Sequence, residues 1–268
     1  MAFSNNRQTV LITGPSSGIG LELARLFARD GYNLILASRN IEKLNQIAAE
    51  LISGQNVEIK IIAKDLSLPA SPREIFSELS REAISVDILV NNAGFGIYGA
   101  FSKIDLNRSL DMLQINMLAV TQLTRLFLPE MLEKKSGKIL NVASTAAFQP
   151  GPFMAGYFAS KAFVLSLSEA LANELEGSGV TVTALCPGPT ATEFQRISNT
   201  EDIRETKIGM MSAQKVARIG YRELMRGKTL VIPGLMNKLA ACAVRFLPRK
   251  VVTRLARWVE EKPASREA

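Results

Sequence analysis

Residues 9–37 constrain the fold more than any other stretch of the chain. Thr9 to Thr13 (TVLIT) has the composition of a buried strand and runs into GPSSGIG, Gly14 to Gly20. A helix follows, Leu21 to Arg29, with apolar residues recurring at Leu23, Leu26 and Phe27, and after Asp30-Gly31 a second strand covers Tyr32 to Ala37. This is one βαβ unit. Gly14, Gly18 and Gly20 let the backbone turn tightly and come close to a pyrophosphate, and the free N–H groups and positive end of the following helix then hold it. Ser16, Ser17 and Ile19 belong to the same turn. The spacing Gly-x-x-x-Gly-x-Gly differs from the usual dinucleotide fingerprint, so a purely structural turn, with glycine permitting close packing, is an equal reading of these residues.

Strand and helix patterns continue to alternate along the chain. Val57 to Ala63, Val86 to Val90, Gly137 to Val142 and Val180 to Leu185 are further strands, with Thr229 to Ile232 as a short seventh. That alternation predicts an α/β fold: a doubly wound, mostly parallel seven-stranded sheet with helices on both faces. Ligands of such sheets bind beyond the carboxyl ends of the strands. Asp65, Asn91 to Gly94, Ser144 and Pro187-Gly188 each follow a strand closely, so one crevice can collect them. Asn107 to Leu128 and Ala155 to Leu175 are two long helices with wide apolar coverage, which packing on the sheet or on a second copy of the chain would satisfy.

Tyr157 and Lys161, in GYFASKAF, stand four residues apart and share one helix face. A phenol is a poor proton shuttle at neutral pH, and an adjacent cation favours its phenolate form. One helical turn can therefore build an acid-base catalyst, although any surface helix can carry a Tyr and a Lys at this spacing.

Taken together, TGPSSGIG (Thr13 to Gly20), NNAG (Asn91 to Gly94), Asn116, Ser144, YFASK (Tyr157 to Lys161) and PGPTAT (Pro187 to Thr192) resemble the short-chain dehydrogenase/reductase family in order and spacing. The likeness covers roughly residues 8 to 192 densely, and in look it comes nearest to bacterial ketoacyl and long-chain 3-oxoacyl-CoA reductases. The resemblance implies a Rossmann-type fold and hydride transfer between a nicotinamide cofactor and a carbonyl or secondary alcohol. It assigns Tyr157 as proton donor and Lys161 as the cation beside it, which also binds the nicotinamide ribose. Ser144 is the hydrogen-bond donor to the carbonyl oxygen, and Asn116 the holder of a water that links Lys161 to solvent. Asp65 and Leu66 take the place of the adenine contacts, and Asn92, Ala93 and Gly94 line the ribose. Pro187, Gly188, Thr190 and Thr192 form the loop beside the nicotinamide. At the end of the second strand, where a carboxylate would favour NAD, Ser38 and Arg39 stand instead and point to NADP(H). Phe148, Phe153, Met154, Phe194, Met210 and Met211 lie where the family varies its substrate walls. They suit a hydrophobic carbonyl such as a 3-oxoacyl thioester, a steroid-like ketone or a retinoid-like compound. A non-catalytic NADPH-sensing or scaffold protein on the same fold is the alternative, although such relatives often lose the tyrosine or lysine that is kept here. The long helices imply a homodimer or homotetramer.

Several classes are excluded by composition. The 268 residues contain no histidine, which rules out a Ser-His-Asp triad, and no clustered cysteines or carboxylates suggest a metal site. Cys186 and Cys242 are far apart in apolar contexts and are expected as buried free thiols. The net charge of +7 is uneven: residues 1–200 carry 17 basic and 18 acidic side chains, and residues 201–268 carry 15 and 7. With no nucleic-acid motif and little aromatic interleaving, nucleic acid is set aside as a partner. No apolar run reaches the roughly 18 residues that span a bilayer, and MAFSNNRQ lacks a signal-peptide core, so a cytoplasmic protein is expected. Residues 1–232 form the expected catalytic domain and 233–268 an extension. In the latter, Leu235, Leu239, Val244 and Leu247, then Val251, Leu255, Trp258 and Val259, recur at helical spacing among Lys238, Arg245, Arg249, Lys250, Arg254 and Arg257, with Pro248 separating two basic amphipathic helices. Such helices pack on their own fold or a sister subunit, or lie peripherally on an anionic membrane.

Overall fold

Alternation along the buried strands decides which helices cover which face of the sheet. Val10 and Ile12 of β1 (Thr9–Thr13), Leu34 and Leu36 of β2 (Asn33–Ser38) and Ile88 and Val90 of β4 (Ile88–Asn91) face one core; Leu11, Ile35 and Leu89 face the other. Both faces are apolar because both are covered, as parallel sheets require. The computed structural model describes residue 3 and residues 7–54, 57–203 and 209–261. The C-terminal extension is therefore described only as far as 261, and the N-terminal MAFSNNRQ only in part.

The remaining strands are β3 (Ile59–Ala63), β5 (Gly137–Val142), β6 (Val180–Leu185), the short pair β7 (Thr190–Ala191) and β8 (Met211–Ser212), and β9 (Leu230–Val231). Seven of them form one sheet in the order β3-β2-β1-β4-β5-β6-β9, with every neighbouring pair parallel. Strand order reverses at β1, which pairs with β2 on one side and β4 on the other. The crevice of a doubly wound sheet opens at that point.

On the first face lie α1 (Gly18–Arg29), α2 (Ile41–Gly54) and α8 (Ala213–Met225), whose Leu23, Phe27, Leu44, Val216 and Leu224 are buried together. The Phe27 ring meets Tyr221 edge-on at 4.9 Å. On the second face lie α3 (Ser71–Arg81) and α5 (Val120–Glu133), with α4 (Leu106–Leu113) leading into α5, and α6 (Ala155–Glu174) beside them. The chain then adds α7 (Phe194–Ser198), α9 (Leu235–Ala243) and α10 (Arg249–Glu260). Pro248 stands directly before α10 and separates it from the turn that ends α9, as the sequence predicts.

Three local differences from expectation have physical causes. First, α1 begins at Gly18, three residues ahead of the apolar periodicity, because the glycine turn itself enters the first helical turn. Second, the long helix expected over Asn107–Leu128 is split by a π-helical stretch, Gln114–Ala119, which turns Asn116 fully inward. Such widenings leave apolar spacing almost unchanged and gather at functional sites. Third, both cysteines are free but only Cys186 is buried; Cys242 is exposed because α9 buries Ala241 alone.

A buried polar ladder fixes β4, β5, α5 and α6 to one another. Asn91 Nδ2 donates to Asn141 Oδ1 at 2.8 Å and to Thr124 Oγ1 at 3.1 Å, Asn141 Nδ2 donates to Ser168 Oγ at 2.9 Å, and Ser168 Oγ donates to Val164 O at 2.6 Å. Asn141→Leu keeps the volume but strips partners from Asn91 and Ser168, so denaturant unfolding should report a loss of about 1–3 kcal/mol; an unchanged midpoint would show that the ladder contributes nothing.

Candidate active site

The β1–α1 turn is built so that backbone, not side chains, faces the crevice. Gly14 and Gly18 have φ of +64° and +58°, in the left-handed region, and a Cβ on them would lie 2.9 Å from Ala93 Cα and from Thr192 Cγ2. At Gly20 a Cβ would collide with Asn92 Nδ2 and with Gly14 O. Ser17, the residue before α1, makes no side-chain cap and the first turn of the helix holds no acid, so its N–H groups and positive end remain for a ligand. The turn is clamped to the end of β4. Asn92 Nδ2 donates to Thr13 O and Gly14 O at 2.9 Å each, while Thr13 Oγ1 accepts the N–H groups of Asn92 and Ala93 at 3.0 Å each. Asn91 points the other way, into the ladder, so the two asparagines of NNAG have separate duties.

Across the crevice, α6 presents Tyr157 and Lys161 on its buried face. Lys161 Nζ lies 5.9 Å from the centre of the Tyr157 ring and donates to Val142 O at 2.8 Å. Burial lowers the Lys161 pKa from 10.5 to about 8, opposed by Cys186. The same burial pushes the Cys186 thiol up to about 12. A Cβ on Gly94 would lie 2.9 Å from Asn116 Oδ1 and 3.4 Å from Lys161 Nζ, so glycine there gives the ammonium its place. Asn116 Nδ2 donates to Phe95 O and Ser160 Oγ at 3.0 Å each, and its Oδ1 accepts from Phe95 N at 3.2 Å. Ser144, following β5, accepts from Ala146 N at 3.1 Å and donates to Pro187 O at 3.4 Å.

The loop after β6 closes the third side. Thr190 Oγ1 donates to Gly188 O at 2.9 Å, Gln195 Nε2 donates to Thr190 O at 2.8 Å, and β7–β8 pairing ties Thr190 to Met211. At the far rim Arg39 is 72% exposed and lies 3.7 Å from Asp65, whose other oxygen accepts from Ser67 N at 2.9 Å. Lys64 stands beside them, paired with Glu74 at 2.6 Å.

One cleft of about 560 Å³ gathers these groups. Gly14, Ser16, Ser17, Gly18, Ile19, Ser38, Arg39, Asp65, Leu66, Asn92, Ala93, Gly94, Ser144, Tyr157, Lys161, Pro187, Gly188, Thr190 and Thr192 all line it. Gly20 and Asn116 do not: the first is packed under Asn92, the second sits behind the wall. Of the expected substrate walls, Met154 and Phe194 line the cleft, whereas Phe148, Phe153, Met210 and Met211 do not. Phe148 packs against the Val164–Cys186 core and Met211 belongs to β8. Lys64 and Arg108 also line the cleft and were not foreseen. Lys64 adjoins Asp65 at the end of β3, which was a usable signal. Arg108 reaches Ile197 O at 3.0 Å, across 89 residues, and no local pattern announces that contact.

Residues 8–203 match the short chain dehydrogenase family. A very-long-chain 3-oxoacyl-CoA reductase of Anas platyrhynchos is 36% identical over 194 residues, 70% of this chain and 61% of that protein. Ketoacyl reductase HetN of Nostoc sp. is 34% identical over 243 residues, 90% of this chain and 79% of that one. This chain thus spans about three fifths of the length of that very-long-chain reductase and of its counterpart from Pyrenophora tritici-repentis. A short-chain dehydrogenase from Sphingobium yanoikuyae, solved in complex with NADPH, superposes with a TM-score of 0.81 at 30% identity, over 97% of this chain and 98% of that one. With the match running from the start of β1 past the loop that follows β6, the chain belongs to the short chain dehydrogenase family.

Proposed function

We propose that the chain is an NADP(H)-dependent oxidoreductase acting between a carbonyl and a secondary alcohol of a hydrophobic substrate, with residues 1–232 carrying the chemistry. The observation that supports this most is the placement of Tyr157 and Lys161 on one wall of the cleft that the glycine turn and the uncapped start of α1 also line. A dinucleotide fits that arrangement: N–H donors at a helix start for the pyrophosphate, and Ser38, Arg39 and Lys64 at the rim with no carboxylate at the end of β2. The relative from Sphingobium yanoikuyae is described with NADPH, which is consistent with this choice.

Bound there, the cofactor supplies or accepts the hydride. Tyr157 gives its phenolic proton to the carbonyl oxygen as charge develops on it, and the buried Lys161 ammonium stabilises the phenolate left behind. Ser144 Oγ holds Pro187 O only at 3.4 Å, a weak bond that a substrate carbonyl can replace. Asn116 pins Phe95 and Ser160 and so sets the face of α6; it would also hold the water that returns protons to Lys161. Asp65, Leu66, Asn92, Ala93 and Gly94 would take the adenosine side, and Pro187, Gly188, Thr190 and Thr192 the nicotinamide side. Met154, Phe194 and Ile197 give the substrate end an apolar lining, which suits a 3-oxoacyl thioester or a steroid-like ketone. Leu106, Leu110 and Leu118 are exposed along α4 and the π-helical stretch and support a homodimer or homotetramer; α6 carries no large exposed apolar residue.

In NADPH-oxidation assays against ketones and oxoacyl thioesters, Tyr157→Phe should lower kcat by about a hundredfold or more while NADPH binding stays within a few-fold; near-normal turnover removes the tyrosine from the chemistry. Arg39→Asp should weaken NADPH by about tenfold or more and leave NADH nearly unaffected, and an unchanged preference would refute the rim assignment. Because the folded state holds the Lys161 pKa near 8 against 10.5, the unfolded chain binds more protons between those values. The residue's contribution to stability therefore rises with pH across that window. Melting curves of the ligand-free protein should show this rise, and Lys161→Met should remove it; identical slopes would mean that the ammonium is not desolvated.

A further inference from the structure

The last two helices leave their largest apolar residues exposed. On α10, Val252, Ala256 and Glu260 are buried against the fold, one stripe at i, i+4, i+8. A neighbouring side of the helix carries Val251, Leu255 and Trp258, all exposed, at i, i+4, i+7. Helix α9 buries Ala241 alone, so Leu235 (72% exposed), Met236 (75%) and Leu239 face outward, and Phe246 (81%) and Leu247 continue that surface into the turn before Pro248. Contiguous apolar exposure of this kind on a folded protein marks a binding surface.

Charge identifies the occupant. Lys238, Arg245, Arg249, Lys250, Arg254 and Arg257 lie among these residues, and the acids within 235–261 are Glu260, which is buried, and Glu261. Lys250 and Arg254 directly flank the Val251–Leu255–Trp258 stripe, being one residue before and three after Val251. A second copy docked about a two-fold axis would set this basic surface against itself and desolvate like charges. An anionic lipid surface satisfies both halves: apolar side chains enter the acyl boundary, tryptophan sits at the interface, and Lys and Arg reach back to the headgroups. Among the described residues no helix is long and apolar enough to cross a membrane, so contact of this kind is peripheral.

The surface also adjoins the cleft. A Cβ on Gly188, in the cleft wall, would lie 2.6 Å from Asn237 Nδ2 of α9. The guanidinium of Arg257 lies 5.2 Å from the centre of the Phe153 ring, next to Met154 of the cleft lining. We propose that α9 and α10 dock the protein on an anionic lipid surface with the substrate end of the cleft beside the bilayer. The lipid-binding surface stands on exposure and charge alone; that the adjoining end of the cleft takes substrate rests on the proposed function.

The test is flotation of the full chain with vesicles of phosphatidylcholine alone or containing phosphatidylglycerol, beside sedimentation velocity without lipid. The bound fraction should be about tenfold or more greater on the anionic vesicles and fall with added salt. Lys250→Glu/Arg254→Glu and, separately, Leu255→Ser/Trp258→Ser should each lose that binding with the melting temperature unchanged. The proposal is overturned if the wild-type chain stays unbound on anionic vesicles, if it binds neutral vesicles equally, or if Leu255→Ser/Trp258→Ser instead splits an oligomer in the lipid-free protein. The wild-type salt and lipid dependence decides the matter even if a variant fails to fold.

Discussion

The joint between Asn92 and the glycine turn is the contact on which the site depends. β1 and β4 end side by side where the strand order reverses, and the loops leaving them would diverge if nothing tied them. Asn92 gives both amide protons to the carbonyls of Thr13 and Gly14, and Thr13 returns its hydroxyl oxygen to two backbone N–H groups. Each partner answers a polar group that the turn would otherwise leave unpaired, so removing one side strands the other. Gly20 is glycine because Asn92 occupies the space of its side chain. Pinned there, the turn leaves the start of α1 open to the crevice instead of covered by a cap.

Lys161 supplies the opposite kind of constraint. It is a buried ammonium whose hydrogen bond goes to a backbone carbonyl, with no carboxylate ion-paired to it among the described residues. Burying a cation this way is unfavourable, and the fold shows that in a pKa lowered toward neutrality. A purely structural position would be filled at lower cost by leucine or methionine. Groups held against their solvation preference concentrate where chemistry needs them, which is why the lysine weighs more than its spacing from Tyr157. The buried Asn91–Asn141–Ser168 ladder keeps α6, and so both side chains, in register with the sheet.

Much of this was legible in the sequence because it rests on short-range patterns. Period-two burial in Val10–Leu11–Ile12 and Leu34–Ile35–Leu36, glycines at a strand-to-helix turn, and a tyrosine one helical turn before a lysine each encode their own geometry. What stayed hidden depends on contacts distant in the chain. The π-helical widening around Asn116 leaves the apolar spacing intact, and Arg108 joins the cleft by bonding to Ile197 O. Phe148 and Met211 sit in segments suited to a substrate wall, but other partners claim them first. Cys242 looked buried because its neighbours are apolar, whereas of α9 only Ala241 turns inward and Cys242 is left exposed.

The same distinction applies to α10, where periodicity groups Val251, Leu255, Trp258 and Val259 and does not say which side packs, while the buried stripe is Val252, Ala256 and Glu260. The fold takes the stripe containing Ala256, whose small side chain lets the helix approach closely, and leaves the leucine and tryptophan outside. Ordinary surface helices do the reverse, because the largest apolar side chains gain most from leaving water. An inversion of that order, repeated on α9 and accompanied by nearby cations, leaves large apolar side chains in water, and the proposed lipid contact rests on that exposure. The position of Asn237 against Gly188, and of Arg257 over the Phe153 ring, sets that outward surface beside the cleft.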